Sequence, residues 1–334
     1  MQKKVQWGVL GVANIALKKV IPAMQRGKLS QVVAIASRDI NKARHAAEQL
    51  DIGKAYGNYE QLLADPEIEA VYNPLPNHLH VPWTVKAAEA GKHVLCEKPV
   101  GLSAEEARTL LKVRDRTGVK IEEAFMVRSH PQWIGVLELI KEGRIGAVRS
   151  ISGVFSYDNR DPKNIRNIAS FGGGALMDIG CYLVYVSRLV FAEEPHRALG
   201  IIVRDSAMQT DVMTSAILDF TAGQSIFTCG TQQTPYQRVQ IFGVKGRIEV
   251  EIPFNAPPDR ACRIFVSPGT DLYGHDAEKV EFPVCDQYTI QGDLFSKSIR
   301  NGTPLPVPLE GSVQNMALID AIFRSAESGK WEHP

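Results

Sequence analysis

The stretch Val5-Gln6-Trp7-Gly8-Val9-Leu10-Gly11-Val12-Ala13-Asn14-Ile15-Ala16 decides how this chain folds. A compact apolar run ends at a glycine, and a helical pattern from Asn14 to Arg26 follows at once, with Pro22 marking a kink or an end. Gly11, Ala13 and Ala16 occupy the three small positions of the dinucleotide fingerprint G-x-G-x-x-G. Alanine at the third position still lets helix pack on strand. At the second it departs from the pattern, because the glycine there lets backbone approach a pyrophosphate. The rest of the physics survives. A tight turn presents free amides and the positive end of a helix dipole to an anionic ligand, with Gly11, Ala13, Asn14 and Ile15 nearest to it.

Working outward, β-rich runs and helical patterns alternate through the first 120 or so residues. Strands are predicted at Gln31–Ala36, Ala70–Asn73, His93–Cys96 and Lys120–Ala124. Helices are predicted at Asn41–Leu50 and Trp83–Ala90, and from Ser103 to Arg116 behind a capping box of Ser103 and Glu106. Gly118 stops the last of them. This rhythm implies βαβ units in a doubly wound parallel sheet, with any ligand at the carboxyl ends of the strands.

After Phe125 the rhythm changes. Helices at Pro131–Glu142, Gly174–Phe191, Gln287–Arg300 and Val313–Ser328 flank alternating strands at Val148–Tyr157, Val212–Phe220, Ser225–Cys229, Arg238–Phe242 and Arg247–Ile252. The fold class that follows is α/β: an N-terminal Rossmann domain over 1–125, then an α+β domain over 126–334 on a mainly antiparallel open sheet.

Composition narrows the function. The 334 residues hold 38 lysines and arginines against 37 acids, a net charge of +1. That balance gives no reason to expect a nucleic-acid or membrane partner. No apolar run reads as a membrane span, and the amino terminus (Met1-Gln2-Lys3-Lys4) lacks the pattern of an export signal. Five cysteines, odd in number and never in C-x-x-C spacing, read as reduced thiols of a cytoplasmic protein. His78 and His80 have no third ligand at suitable spacing, so no metal is expected.

The second strand ends at Ala36-Ser37-Arg38-Asp39. A cofactor with a free ribose 2′-hydroxyl favours an acid there, whereas a 2′-phosphate favours a small polar residue and arginine. Ser37 stands at the acid's place and Arg38 follows, which points to NADP(H) over NAD(H).

Three further segments are Leu75-Pro76-Asn77-His78-Leu79-His80, Gly91-Lys92-His93-Val94-Leu95-Cys96-Glu97-Lys98-Pro99, and Gly172-Gly173-Gly174-Ala175-Leu176-Met177-Asp178-Ile179-Gly180-Cys181-Tyr182. With the turn at Gly11 they resemble, across nearly the whole chain, the glucose–fructose oxidoreductase / inositol dehydrogenase / rhizopine-catabolism family. Many members carry histidine where Tyr182 stands. The tyrosine resembles the branch with dimeric dihydrodiol dehydrogenase, NADP-dependent xylose dehydrogenase and some nucleotide-sugar 3-ketoreductases.

The resemblance implies that Leu75, Pro76, Asn77, His80, Glu97, Lys98 and Arg166 lie about the cofactor. It implies a homodimer or homotetramer joined through the C-terminal sheet. The cleft between the domains is expected to hold NADP(H) and a small-molecule sugar or cyclic polyol.

Residue chemistry fits hydride transfer. Lysine and tyrosine are poor bases at neutral pH, but an ammonium beside a desolvated phenol favours tyrosinate and lowers its pKa. Tyr182 is therefore the expected proton donor and acceptor, and Lys98 the group that polarises the substrate oxygen. Asp178, one helical turn before Tyr182, accepts a hydrogen bond from a neighbouring hydroxyl or orients the lysine. Proton relay by Lys98 itself is the alternative. Arg128 reaches the substrate or forms a structural ion pair.

The reaction expected is oxidation of a xylose- or glucose-like pyranose at its anomeric carbon. The alternatives are a trans-dihydrodiol dehydrogenase, a sugar 3-ketoreductase, a non-catalytic NADP-binding regulator, and a redox-neutral glycosidase.

Overall fold

The computed structural model describes residues 3–334 as two compact units. Met1 and Gln2, which the expected first domain includes, lie outside the described residues. The units are residues 3–126 with Asp286–Val313, and Val127–Cys285 with Gln314–Pro334. The expected division after residue 125 thus needs one amendment, because a late segment folds back onto the first unit.

In the first unit six strands lie in the order β3-β2-β1-β4-β5-β6. They are β1 (Val5–Leu10), β2 (Ser30–Ala36), β3 (Lys54–Tyr56), β4 (Ala70–Asn73), β5 (His93–Cys96) and β6 (Ile121–Glu123), and each neighbouring pair is parallel. Between β1 and β4 the strand order reverses, so the loops after these strands diverge and leave a crevice at their carboxyl ends.

The connecting helices are α1 (Ile21–Arg26), α2 (Ile40–Gln49), α3 (Tyr59–Ala64), α4 (His80–Glu89) and α5 (Ala104–Thr117). A wide turn at Ala16–Val20 runs directly into α1. This keeps the segment helical through Pro22, which lacks the N–H an interior helix position would need. At α5, Ser103 Oγ accepts from Glu106 N–H at 3.2 Å, but the Glu106 carboxylate accepts from Leu102 N–H instead of returning to Ser103. Gly118 closes the helix at φ +71°.

The late segment contains α8 (Gln287–Asn301). It belongs to the first unit because its apolar face completes that core. Phe295 packs on Trp7 with ring centroids 5.3 Å apart, and the buried indole N–H of Trp7 donates to Ser296 Oγ at 3.0 Å. Arg300 forks onto Glu69 at 2.6 and 2.7 Å.

The second unit carries α6 (Pro131–Lys141), β7 (Val148–Asp158), α7 (Cys181–Phe191), β8 (Arg197–Arg204), β9 (Asp211–Asp219), β10 (Gln224–Gly230), β11 (Gln232–Gly243), β12 (Gly246–Val250), β13 (Cys262–Ser267) and β14 (Glu278–Phe282). The last helix, α9 (Leu309–Ser328), begins in the first unit and joins the second from Gln314. The sheet order is β14-β13-β12-β11-β7-β10-β9-β8, antiparallel throughout except that β10 runs parallel to β7.

On β7, Gly153 faces α7 so closely that a Cβ there would lie 2.4 Å from Leu183. The alternate residues of β7 therefore form the opposite, open face. Against the expectation of no membrane-length apolar run, one segment qualifies by length and composition. The segment Ala169–Phe191 is long and apolar enough by composition to cross a bilayer, but it is mostly buried as the core helix of this unit.

Candidate active site

In the first unit the glycine turn forms as the sequence predicts. Gly11 takes φ +95°, and its N–H donates to Ala36 O at 2.8 Å. A Cβ at Gly11 would meet Leu75 Cδ2 at 3.0 Å in a backbone conformation side chains avoid, so glycine is required here. Ala13 accepts the first helical bond, from Leu17 N–H at 3.0 Å, while Asn14 is exposed and Ile15 half-buried at the helix start.

After β2, Ser37 is buried and its Oγ accepts from Asp39 N–H at 3.2 Å. Asp39 caps α2 by accepting from Asn41 and Lys42 N–H. That accounts for the acid in this loop and leaves Arg38 exposed, forming no ion pair among the described residues. The positive charge of Arg38 acts on the hydroxyl of buried Tyr59, which opens α3, although burial is the larger influence and raises that phenol's pKa. Tyr59 was not singled out from the sequence. Its ring meets Trp83 edge-on with centroids 4.7 Å apart.

The loop after β4 is fixed by Asn73, whose amide donates to His80 O at 3.1 Å and Thr84 Oγ1 at 3.2 Å. Leu75, Pro76 and Asn77 follow. His80 is buried with Nδ1 2.7 Å from Pro99 O and Nε2 2.6 Å from Leu75 O. The two carbonyls favour a doubly protonated ring, but burial is the larger effect and lowers its pKa to about 4, so the neutral ring donates to one carbonyl at a time. His80 thereby ties the 75–77 loop to the Lys98–Pro99 turn. Its ring nitrogens are committed to these carbonyls.

Two residues beyond β5 comes Lys98, half-buried. Glu97 accepts Tyr72 O–H at 2.6 Å on Oε1 and Lys98 N–H at 3.3 Å on Oε2. Its carboxylate thus supports the backbone at Lys98. Gly11, Ser37–Arg38, Leu75–Asn77 and Glu97–Lys98 all follow carboxyl ends of parallel strands, so they share one edge of this sheet.

In the second unit the glycine run seats Arg166. A Cβ on Gly173 would lie 2.4 Å from Arg166 O, and Gly174 N–H donates to that same oxygen at 2.8 Å. Gly174 has φ +119°, and a Cβ there would lie 1.8 Å from Asp211. A wide helical turn at Leu176–Gly180 then carries Asp178 and leads into α7, where Tyr182 sits.

Asp178 Oδ2 accepts from Tyr157 O–H at 2.6 Å and from Arg166 Nε–H at 3.0 Å. The Tyr182 ring is buried 5.4 Å from Phe254 and 6.1 Å from Phe155. A cavity of about 700 Å³ in this unit is lined by Tyr157, Gln237, Asn255, Arg238, Arg260 and Arg263. Arg128 is half-buried in the turn Met126–Ser129 and makes no ion pair among the described residues.

The structure therefore brings Asp178 together with Arg166, as two of the predicted residues, and adds Tyr157. Strand parity was the one available signal for Tyr157, since it shares a face of β7 with Phe155.

Fold and residue set define an oxidoreductase with a dinucleotide-binding Rossmann unit. Residues 5–125 match the model of the oxidoreductase family with an NAD-binding Rossmann fold, and residues 134–249 match the glucose–fructose oxidoreductase / inositol dehydrogenase / MocA C-terminal domain. The chain belongs to that family. An uncharacterised oxidoreductase of Rhizobium meliloti is 50% identical over 98% of both chains. An NADP(+)-dependent D-xylose 1-dehydrogenase of Haloferax volcanii is 38% identical over 97% of this chain and 98% of its own. Crystal structures of a 3-ketoreductase from Actinomadura kijaniata with NADP and TDP-benzene match with TM-score 0.89 at 29% identity, over 97% of this chain and 98% of that one.

Proposed function

We propose that the protein is an NADP-dependent pyranose 1-dehydrogenase, oxidising a xylose- or glucose-like sugar at its anomeric carbon. The observation that carries the cofactor reading is the end of β2. Ser37 leaves no acid to repel a 2′-phosphate, and the Arg38 guanidinium beside it is exposed with no ion pair among the described residues. The Gly11 turn presents a helix start, with its amides and positive dipole end, to the phosphates of a dinucleotide. Likeness to the xylose dehydrogenase supports the substrate class.

NADP+ would accept hydride at its nicotinamide ring; the chain's residues do the rest. Lys98 holds and polarises the reacting oxygen. Tyr182 takes its proton on oxidation and returns it on reduction. Asp178 accepts a hydrogen bond from an adjacent hydroxyl. Arg166 neutralises Asp178, and Arg128 reaches the substrate. Leu75, Pro76, Asn77, His80 and Glu97 shape the cofactor edge.

Sugar 3-keto reduction is the second reading. The Actinomadura enzyme has been crystallised with a lysine and a tyrosine replaced at the same sequence separation as Lys98 and Tyr182. Arg38→Ala tests the cofactor reading. Removing a charge-assisted hydrogen bond is worth about ten- to a hundredfold, so KM for NADP should rise by that factor while KM for NAD barely moves. Equal effects on both would remove Arg38 from phosphate recognition.

A two-fold dimer through the open sheet face belongs to the same reading. Ile201, Val203 and Ile226 are exposed on that sheet, and a two-fold pairing would cover them. Sedimentation should show a dimer, and Ile226→Asp a monomer; a monomeric parent protein would contradict the interface. A cytoplasmic location accompanies this reading.

A further inference from the structure

We propose that Tyr157 is a positioning residue that, with Arg166, holds Asp178 as an oriented carboxylate for the substrate hydroxyl. The inference rests on the reading of Asp178 given above.

The argument begins with sequence placement. Tyr157 ends the α7-facing parity of β7, so its ring turns toward the helical layer. Its hydroxyl reaches Asp178 Oδ2 at 2.6 Å, the length of a strong O–H···O⁻ bond, while Arg166 Nε approaches the same oxygen at 3.0 Å. Two donors arriving from different elements, a strand and the turn Ile165–Asn167, fix the carboxylate plane as no single donor would.

The roles of the pair differ. Arg166 brings charge but is substantially exposed, with 42% of its side chain accessible beside 12% for Asp178, so water screens its contribution. Tyr157 is neutral and buried deeper. Its own pKa is pushed up by burial and then by the Asp178 carboxylate, so it remains an O–H donor throughout the assay range. Its ring also lines the 700 Å³ cavity, which places this support beside open space.

Other ionisable groups lie near Asp178. Asp211 on β9 feels the same surroundings, but its carboxylate accepts from Leu176 N–H at 2.7 Å and Thr214 O–H at 2.8 Å. Cys181 on the same helix and Cys229 on β10 are buried thiols, and burial holds Cys229 protonated. Tyr182 follows one turn along the helix.

Losing a donor to the charged form raises a carboxyl pKa. In Tyr157→Phe the acid limb of the kcat/KM–pH profile should therefore move upward by roughly one pH unit. At neutral pH, kcat/KM for sugar should fall about tenfold or more, with KM for NADP unchanged. A purely structural tyrosine would lower thermal stability and leave the limb where it was. Arg166→Gln, at a partly exposed site, should shift the limb the same way and stands in if Tyr157→Phe does not fold. Asp178→Asn separates the two claims. If it is inactive while the Tyr157 and Arg166 variants keep the parent profile, this inference is wrong; if Asp178→Asn is fully active, the reading of Asp178 itself is wrong.

Discussion

Lys98→Ala is expected to yield a folded protein that binds NADP(H) as before and turns over sugar about 10²- to 10⁴-fold more slowly, the span that positioned proton-transfer and polarising groups supply. The sequence places this lysine at the carboxyl end of a parallel strand, where doubly wound sheets bind ligands. The structure keeps its backbone fixed by two independent supports, the Glu97 carboxylate under its N–H and the His80 ring against Pro99 O. Both survive loss of the side chain, so fold and cofactor affinity should survive as well. Turnover and NADPH-quenching titrations on one preparation check this. Turnover within twofold of the parent would remove Lys98 from the reaction.

Tyr182→Phe should have the second-largest effect, a fall in kcat of about a hundredfold or more with little change in thermal midpoint. The ring contacts with Phe254 and Phe155 are retained by phenylalanine, so packing changes little. What disappears is the hydroxyl that gives and takes the proton. The discriminating sign is that kcat falls while KM for NADP stays level. A variant that loses stability and activity in parallel would make Tyr182 a packing residue.

The sequence disclosed the parallel half well, because Gly11 interrupts an apolar run where a helix starts and period-2 and period-3.6 patterns alternate after it. What it could not disclose has physical reasons. Lys54–Tyr56 is too short a strand for any period to register. The helix Gln287–Asn301 shows an apolar face, but a face does not state which core it completes, and Phe295 against Trp7 is a contact across 288 positions of chain. Glu106 satisfies Leu102 instead of Ser103 because two neighbouring N–H groups compete for one carboxylate.

At the site, residue chemistry named Lys98, Asp178 and Tyr182 without naming what supports them. Tyr157 lies 21 positions before Asp178 on another element, and only the register of β7 against α7 brings the two together.

The most direct test is absorbance at 340 nm with purified protein. NADP and NAD are supplied separately with pentoses, hexoses, inositols and dihydrodiols, and keto sugars are assayed in reverse. NADP reduction by a pyranose, with NAD much the weaker cofactor, is the result predicted here. NADP bound in titration but neither reduced nor oxidised across the whole panel would contradict a sugar dehydrogenase and leave a regulator or a redox-neutral enzyme in its place.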